Sequence, residues 1–161
     1  MTRACVCDRR IRIVKKTDDK LSIEMDALDQ LIRAGDLGIA RERLLCLNLK
    51  QIPRVWAADL ADLARRLNTP KFMIEILKPI VRAEVEQHPE PSTRERALYA
   101  TALSRIGVFR EAETLLKNLQ TRGAPEILLY QAQNYMLQWN YSLPIAKLNK
   151  YIKSSKISQY E

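Results

Sequence analysis

Between about residues 21 and 155, apolar positions fall at three- and four-residue spacing and are broken at regular intervals. The clearest stretch runs from Ser92 to Gly123. Leu98, Ala102 and Ile106, with Tyr99 and Leu103, form one stripe, and beyond Gly107 a second stripe holds Ala112, Leu115, Leu116 and Leu119. This periodicity predicts two amphipathic helices. Gly107 between them supplies the left-handed backbone that ends a helix. Ser92 followed three residues later by Glu95 is a capping box, which marks the first helix's start.

The same pattern occurs four times. Its turn residues are Gly35, Asn68, Gly107 and Trp139. They are spaced about 32 to 39 residues apart, the period of a repeated supersecondary unit. Nine residues after each turn stands a leucine: Leu44, Leu77, Leu116 and Leu148. Twelve after it stands Leu47, Ile80, Leu119 or Tyr151. Seven before it stands Ala61, Ala100 or Ala132, with Leu28 in the first unit; five after it stands Ala40 or Ala112, with Met73 and Pro144 departing. Small residues at these places let paired helices approach closely. Pro53 and Pro125 open the second and fourth units, where proline costs no helical hydrogen bond.

The fold class expected is therefore all-α, with hairpins at about 21–49, 53–87, 92–122 and 125–155 in a repeat domain of residues 17–155. A basic arm (1–16) precedes it and a short tail (156–161) follows. Thr17-Asp18-Asp19 predicts the start of the first helix. The first hairpin's apolar positions are Met25, Leu28, Leu31 and Ile32, then Ile39, Leu44, Leu45 and Leu47; Cys46 is expected in the core. Trp56, Leu60, Leu63 and Leu67 form the second hairpin's inner stripe, and Ile127, Leu128, Ala132, Tyr135 and Trp139 that of the fourth. Asp36, Thr69 before Pro70, and Ser142 are candidate N-caps. Pro79 is expected to kink or break its helix, and Glu86–Ser92 reads as a connector and bend.

The four phased hairpins resemble a tetratricopeptide repeat array over roughly Leu21–Ser155, with the third unit the best match. The tryptophan expected near the start of each first helix is missing; Glu24, Ala57, Arg96 and Leu128 lie there. The resemblance implies a right-handed α-solenoid whose first helices line a concave groove. By phase, that groove takes Asp29, Ile32 and Arg33, then Asp62, Arg65 and Arg66. Thr101, Ser104 and Arg105 follow, and last Gln133, Met136 and Leu137. Arg33, Arg66 and Arg105 each precede a turn by two residues. Such a ladder suits bidentate capture of carboxylates or phosphates; equally, a cation in the last turn of a helix complements its dipole. The lysine and asparagine clamp by which one subfamily holds chaperone C-termini is absent, since Met25, Asp29, Asp59, Arg94 and Leu98 occupy its phase.

Charge adds a second theme. The chain of 161 residues carries a formal net charge of +8, and the excess lies at its ends. Arg3, Arg9, Arg10, Arg12, Lys15, Lys16 and Lys20 crowd the first twenty residues; Lys150, Lys153 and Lys156 crowd the last twelve. This loading argues against a dedicated nucleic-acid groove, and aromatics are not interleaved with the basic residues as single-strand binding requires.

Catalytic chemistry is poorly provided for. The single histidine, His88, sits beside Pro89, and no phosphate-binding or nucleophile-elbow motif occurs. Three cysteines, Cys5, Cys7 and Cys46, suggest reduced thiols and a cytoplasmic setting. No cofactor or metal site is expected, and no run of ~20 apolar residues suits a membrane span. The function expected is a non-catalytic scaffold that binds a peptide or helix in the groove. The alternatives are a self-associating or regulatory segment whose apolar end faces pair as a homodimer and, behind it, a basic nucleic-acid-binding array.

Overall fold

The computed structural model describes residues 5–82, 89–119 and 124–154, with side chains from residue 19 to 153 among them. These residues form an all-α chain: α1 (Cys5–Ala34), α2 (Leu37–Leu45), a 3-10 turn (Leu49–Gln51), α3 (Arg54–Arg66), α4 (Pro70–Val81), α5 (Thr93–Arg105), α6 (Phe109–Lys117), α7 (Glu126–Leu137) and α8 (Ser142–Ser154). Each odd-numbered helix packs against the even-numbered helix that follows it. Across hairpins, α1 touches α3, α3 touches α5 and α5 touches α7, while α4 packs on α5 and α6 on α7.

Four turns of one design reverse the chain. Gly35 (φ 88°), Asn68 (φ 54°), Gly107 (φ 89°) and Trp139 (φ 58°) all take left-handed backbone. At each, the turn N–H donates to the carbonyl three residues back, and the next N–H donates to the carbonyl five back. The pairs are Gly35–Ile32 with Asp36–Leu31, Asn68–Arg65 with Thr69–Ala64, Gly107–Ser104 with Val108–Leu103, and Trp139–Met136 with Asn140–Tyr135, all at 2.9–3.2 Å. This is the Schellman arrangement, which satisfies carbonyls that a helix end leaves open.

The phased apolar positions meet at the centre. Leu28, Ala61, Ala100 and Ala132 are buried seven residues before the turns, and Ala40, Met73, Ala112 and Pro144 five after them. Leu44, Leu77 and Leu116 are buried nine after, whereas Leu148 is half-buried. Fully burying such a leucine contributes about 1.5–3 kcal/mol.

Polar side chains tie neighbouring hairpins. Arg41 donates through Nε and Nη2 to the Leu67 carbonyl at 3.2 and 3.0 Å, completing the end of α3. Arg54 donates to the Pro89 and Glu90 carbonyls at 2.6 and 3.0 Å and approaches Glu95 at 3.5 Å. Arg82 pairs with Glu111 and lies 5.8 Å from the centroid of the buried Tyr99 ring. Ser104 donates to Asn134 Oδ1 at 2.7 Å, and Gln131 Nε2 donates to the Leu116 carbonyl at 2.9 Å.

The Ser92 capping box forms as expected: Ser92 N donates to Glu95 Oε2 at 2.7 Å and Glu95 N to Ser92 Oγ at 3.2 Å. Other local expectations need correction. The first helix already runs through Cys5–Ala34, so it does not start at Thr17. Neither glycine nor proline interrupts residues 5–34, so the two aspartates stay inside a continuing helix. Asp36 stands at the N-cap of α2 without a side-chain cap bond, and the Thr69 hydroxyl donates back to the Ala64 carbonyl instead of capping α4. α4 runs through Pro79 and ends at Val81. Ser142 opens α8, its hydroxyl donating to Asn140 Oδ1 at 3.0 Å. Cys46 is exposed because it follows buried Leu44 by two residues, which places it on the opposite side of the turn. Ile39, Leu45, Ile106 and Trp139 also stand exposed. Residues 86–88 of the Glu86–Ser92 connector, the end of the third unit and the 156–161 tail lie outside the described residues.

Candidate functional site

The groove positions chosen by phase do not all share one surface. On the α1–α3 side they converge. Asp29 of α1 accepts from its own helix's Arg33 at 2.7 Å and from Arg66 of α3 at 2.5 Å. Asp62 accepts from Arg65 one turn later at 2.8 Å. Asp59 of α3 accepts from Arg94 of α5 at 2.6 Å. Two of these four pairs cross from one hairpin to the next. Three- and four-residue spacing explains the other two, because those positions are neighbours on a helix surface.

These groups surround an open cleft of about 230 Å³. Met25 and Leu63 supply its apolar lining, and Asp26, Asp29, Asp59, Asp62 and Arg94 its polar lining. The Arg66 hydrogen bond, helped by Arg33, holds the Asp29 carboxyl below the ordinary aspartate range against the opposing effect of partial burial. Asp26 forms no ion pair with a described residue. Tyr130 of α7 is half-buried near the same charges; burial raises its phenol above the usual value.

Arg105 departs from the proposed ladder. Its Nη1 donates to Asn68 Oδ1 across the hairpin boundary at 2.5 Å. Burial, with the nearby Arg65 charge, lowers its guanidinium from the usual value. The three ladder arginines are thus engaged within the molecule, Arg33 and Arg66 on one carboxylate and Arg105 on a side-chain amide.

Thr101 and Ser104 lie elsewhere. Both are buried, at 2% and 3% exposure. Thr101 donates to the Ala97 carbonyl, while the single Ser104 hydroxyl proton is shared between the Ala100 carbonyl and Asn134 Oδ1. Neighbours on several sides of α5 enclose these hydroxyls, so they do not line an open groove. Gln133 is half-buried on α7. Met136 and Leu137 are exposed at that helix's end, at 47% and 40%.

Phase reasoning passed over Asp26 and Tyr130. Both lie nine residues before a turn, as does Asp59, one helical turn ahead of the Asp29–Asp62 positions. The signal was available in the register but was not a motif. A second cleft, of about 200 Å³, opens between α1 and the Asn48–Ile52 linker, with Leu21, Leu47 and Ile52 in its lining.

Among the described residues, no three His, Cys, Asp or Glu side chains are grouped to hold a metal ion, and no helix is long and apolar enough to cross a membrane. The arrangement offers paired charges and an apolar floor: a surface for recognition by ion pairing and contact. Comparison with protein-family models, curated proteins and solved structures finds no match to this chain.

Proposed function

We propose that the chain is a non-catalytic protein-interaction scaffold: a right-handed, tetratricopeptide-like α-solenoid that works in the cytoplasm. Its ligand is an extended peptide or helix bearing basic side chains, held along the face of α1, α3 and the start of α5. The observation that supports this most is the carboxylate-rich cleft. Four aspartates and one arginine line it over the apolar Met25 and Leu63. A lysine or arginine from the ligand takes the place of an internal arginine on Asp59 or Asp62, or meets Asp26 directly. Exchanging one partly exposed ion pair for another costs little, since such pairs contribute about 0–1 kcal/mol.

Titration calorimetry with two peptides of equal length, one rich in lysine and leucine and one in glutamate and leucine, tests the reading. The lysine peptide should bind, and Asp59→Asn combined with Asp62→Asn should weaken it at least tenfold. Equal binding to the double variant removes the cleft from consideration.

Self-association is a second reading, favoured by the exposure of Trp139 (81%) and Leu143 (45%) at the α7–α8 end. Light scattering over a dilution series decides it. A dimer that persists in high salt supports it.

A further inference from the structure

We propose that the outer end of the fourth hairpin is a second docking surface, for an amphipathic helix with acidic flanks supplied by a partner protein. The internal repeat shows what kind of element covers it. Four residues after the turn of the second hairpin stands Phe72, 4% exposed on α4, which packs on α5 of the following hairpin. The equivalent residue on α8 is Leu143, 45% exposed. Three residues before the third turn stands Ser104, 3% exposed and bonded to Asn134 of α7. Its equivalent in the last hairpin is Met136, 47% exposed. In these two places the helix of the following hairpin covers the residue, whereas the matching Ile39 of the first hairpin stays 54% exposed. In the fourth hairpin both are apolar and open, and α7 is the one extensive neighbour of α8.

Trp139 points the same way. It holds left-handed backbone that costs a non-glycine residue roughly 1–2 kcal/mol, yet its indole is 81% exposed. Among the described residues its ring makes an edge-to-face contact with Tyr141, ring centroids 6.3 Å apart. An exposed aromatic pair beside open aliphatic positions is the composition of a binding hot spot.

Charge selects the occupant. Leu143 and Lys150 recur at i and i+7 and share one face of α8, with Lys153 exposed beside Lys150, whereas Lys147 is half-buried toward α6 and α7. The helix carries Lys147, Lys150 and Lys153 and no aspartate or glutamate. Two copies of this face brought together would oppose lysine to lysine, which disfavours a symmetric dimer. A helix with a leucine stripe and glutamates on its flanks satisfies both the apolar positions and the lysines.

The test uses the full chain and two fluorescein-labelled amphipathic peptides with the same leucine stripe, one flanked by glutamate and one by lysine, followed by fluorescence anisotropy. The glutamate-flanked peptide should bind at least tenfold more tightly. Leu143→Asp, at an exposed site, should lose that binding while leaving the melting curve unchanged. Lys150→Glu with Lys153→Glu should reverse the preference toward the lysine-flanked peptide. Absence of binding, or equal binding of both peptides, overturns the proposal. So does sedimentation with phosphatidylserine vesicles that Leu143→Asp abolishes, which assigns the surface to lipid. A dimer that the same substitution dissociates also overturns it, in favour of a second copy.

Discussion

Helices α4 and α8 occupy the same place in their hairpins and follow the same kind of turn, yet they end in different surroundings. On α4, Phe72, Met73, Ile76 and Leu77 are buried between α3 and α5. On α8, Leu143 and Ile145 are exposed and Leu148 is half-buried, and α7 is the helix's main neighbour. Hydrophobic pattern fixes which side of a helix faces its own partner. Whether the adjoining positions stabilise the fold depends on the next hairpin, and α8 has none among the described residues. Apolar residues in equivalent positions are thus buried in the middle of the molecule, at Phe72, and exposed at its end, at Leu143.

The largest test of this contrast compares equivalent residues. Phe72→Ala should cost about 3–5 kcal/mol in urea unfolding, whereas Leu143→Ala should stay within about 0.5 kcal/mol of the parent. Similar losses at both sites would mean that α8 is covered after all. Next comes the buried polar tie between the third and fourth hairpins. Asn134→Ala leaves Ser104 without its cross-hairpin acceptor and should cost about 1–3 kcal/mol by the same measurement.

The turns give a smaller, signed effect. No heavy atom lies within 4 Å of a Cβ added at Gly107, so Gly107→Ala should be destabilising by about 1 kcal/mol through backbone alone. Trp139→Gly should stabilise by roughly 0.5–1 kcal/mol, because glycine removes the left-handed strain but adds unfolded-state freedom. Thermal unfolding of the pair should therefore move the melting temperature in opposite directions.

The smallest effect is in acid. Burial raises the Glu95 carboxyl, but its bonds from Ser92 and the Arg54 charge outweigh this and leave its pKa below the ordinary value. A carboxylate depressed in this way stabilises the fold above its unfolded pKa, about 4.3, and the contribution disappears as pH falls through the lower folded value. Glu95→Gln should flatten the stability profile below about pH 4 and leave that limb otherwise unchanged.

The fold was legible where backbone geometry restricts residue choice. Gly35, Gly107 and Asn68 are the residues best suited to left-handed turns, and their phase located Trp139, whose side chain gives no such hint. The alanines at Ala61, Ala100 and Ala132 likewise reported close helix approach, and all are buried. The surface was less legible. Thr101 and Ser104 carry groove phase and polar side chains, but burial depends on the helices packed around α5, which no local pattern encodes. The cross-hairpin pairs of Asp29 with Arg66 and Asp59 with Arg94 could not be read either, since partners more than thirty residues apart meet only through the stacking of hairpins. Cys46 failed for a simpler reason: one apolar residue beside another was assigned to the same side, although α2 had already turned it outward.

The two tryptophans of this chain give the exposed turn a practical consequence. Trp56 is half-buried and packed against the core, while Trp139 stands in solvent. Their emission should divide into two components, and a collisional quencher such as acrylamide should extinguish the Trp139 component first. Any molecule that settles on the fourth hairpin would shield that component and leave the Trp56 component nearly unchanged. The strained residue thus equips the native, unlabelled chain with an optical reporter of whether its end is occupied.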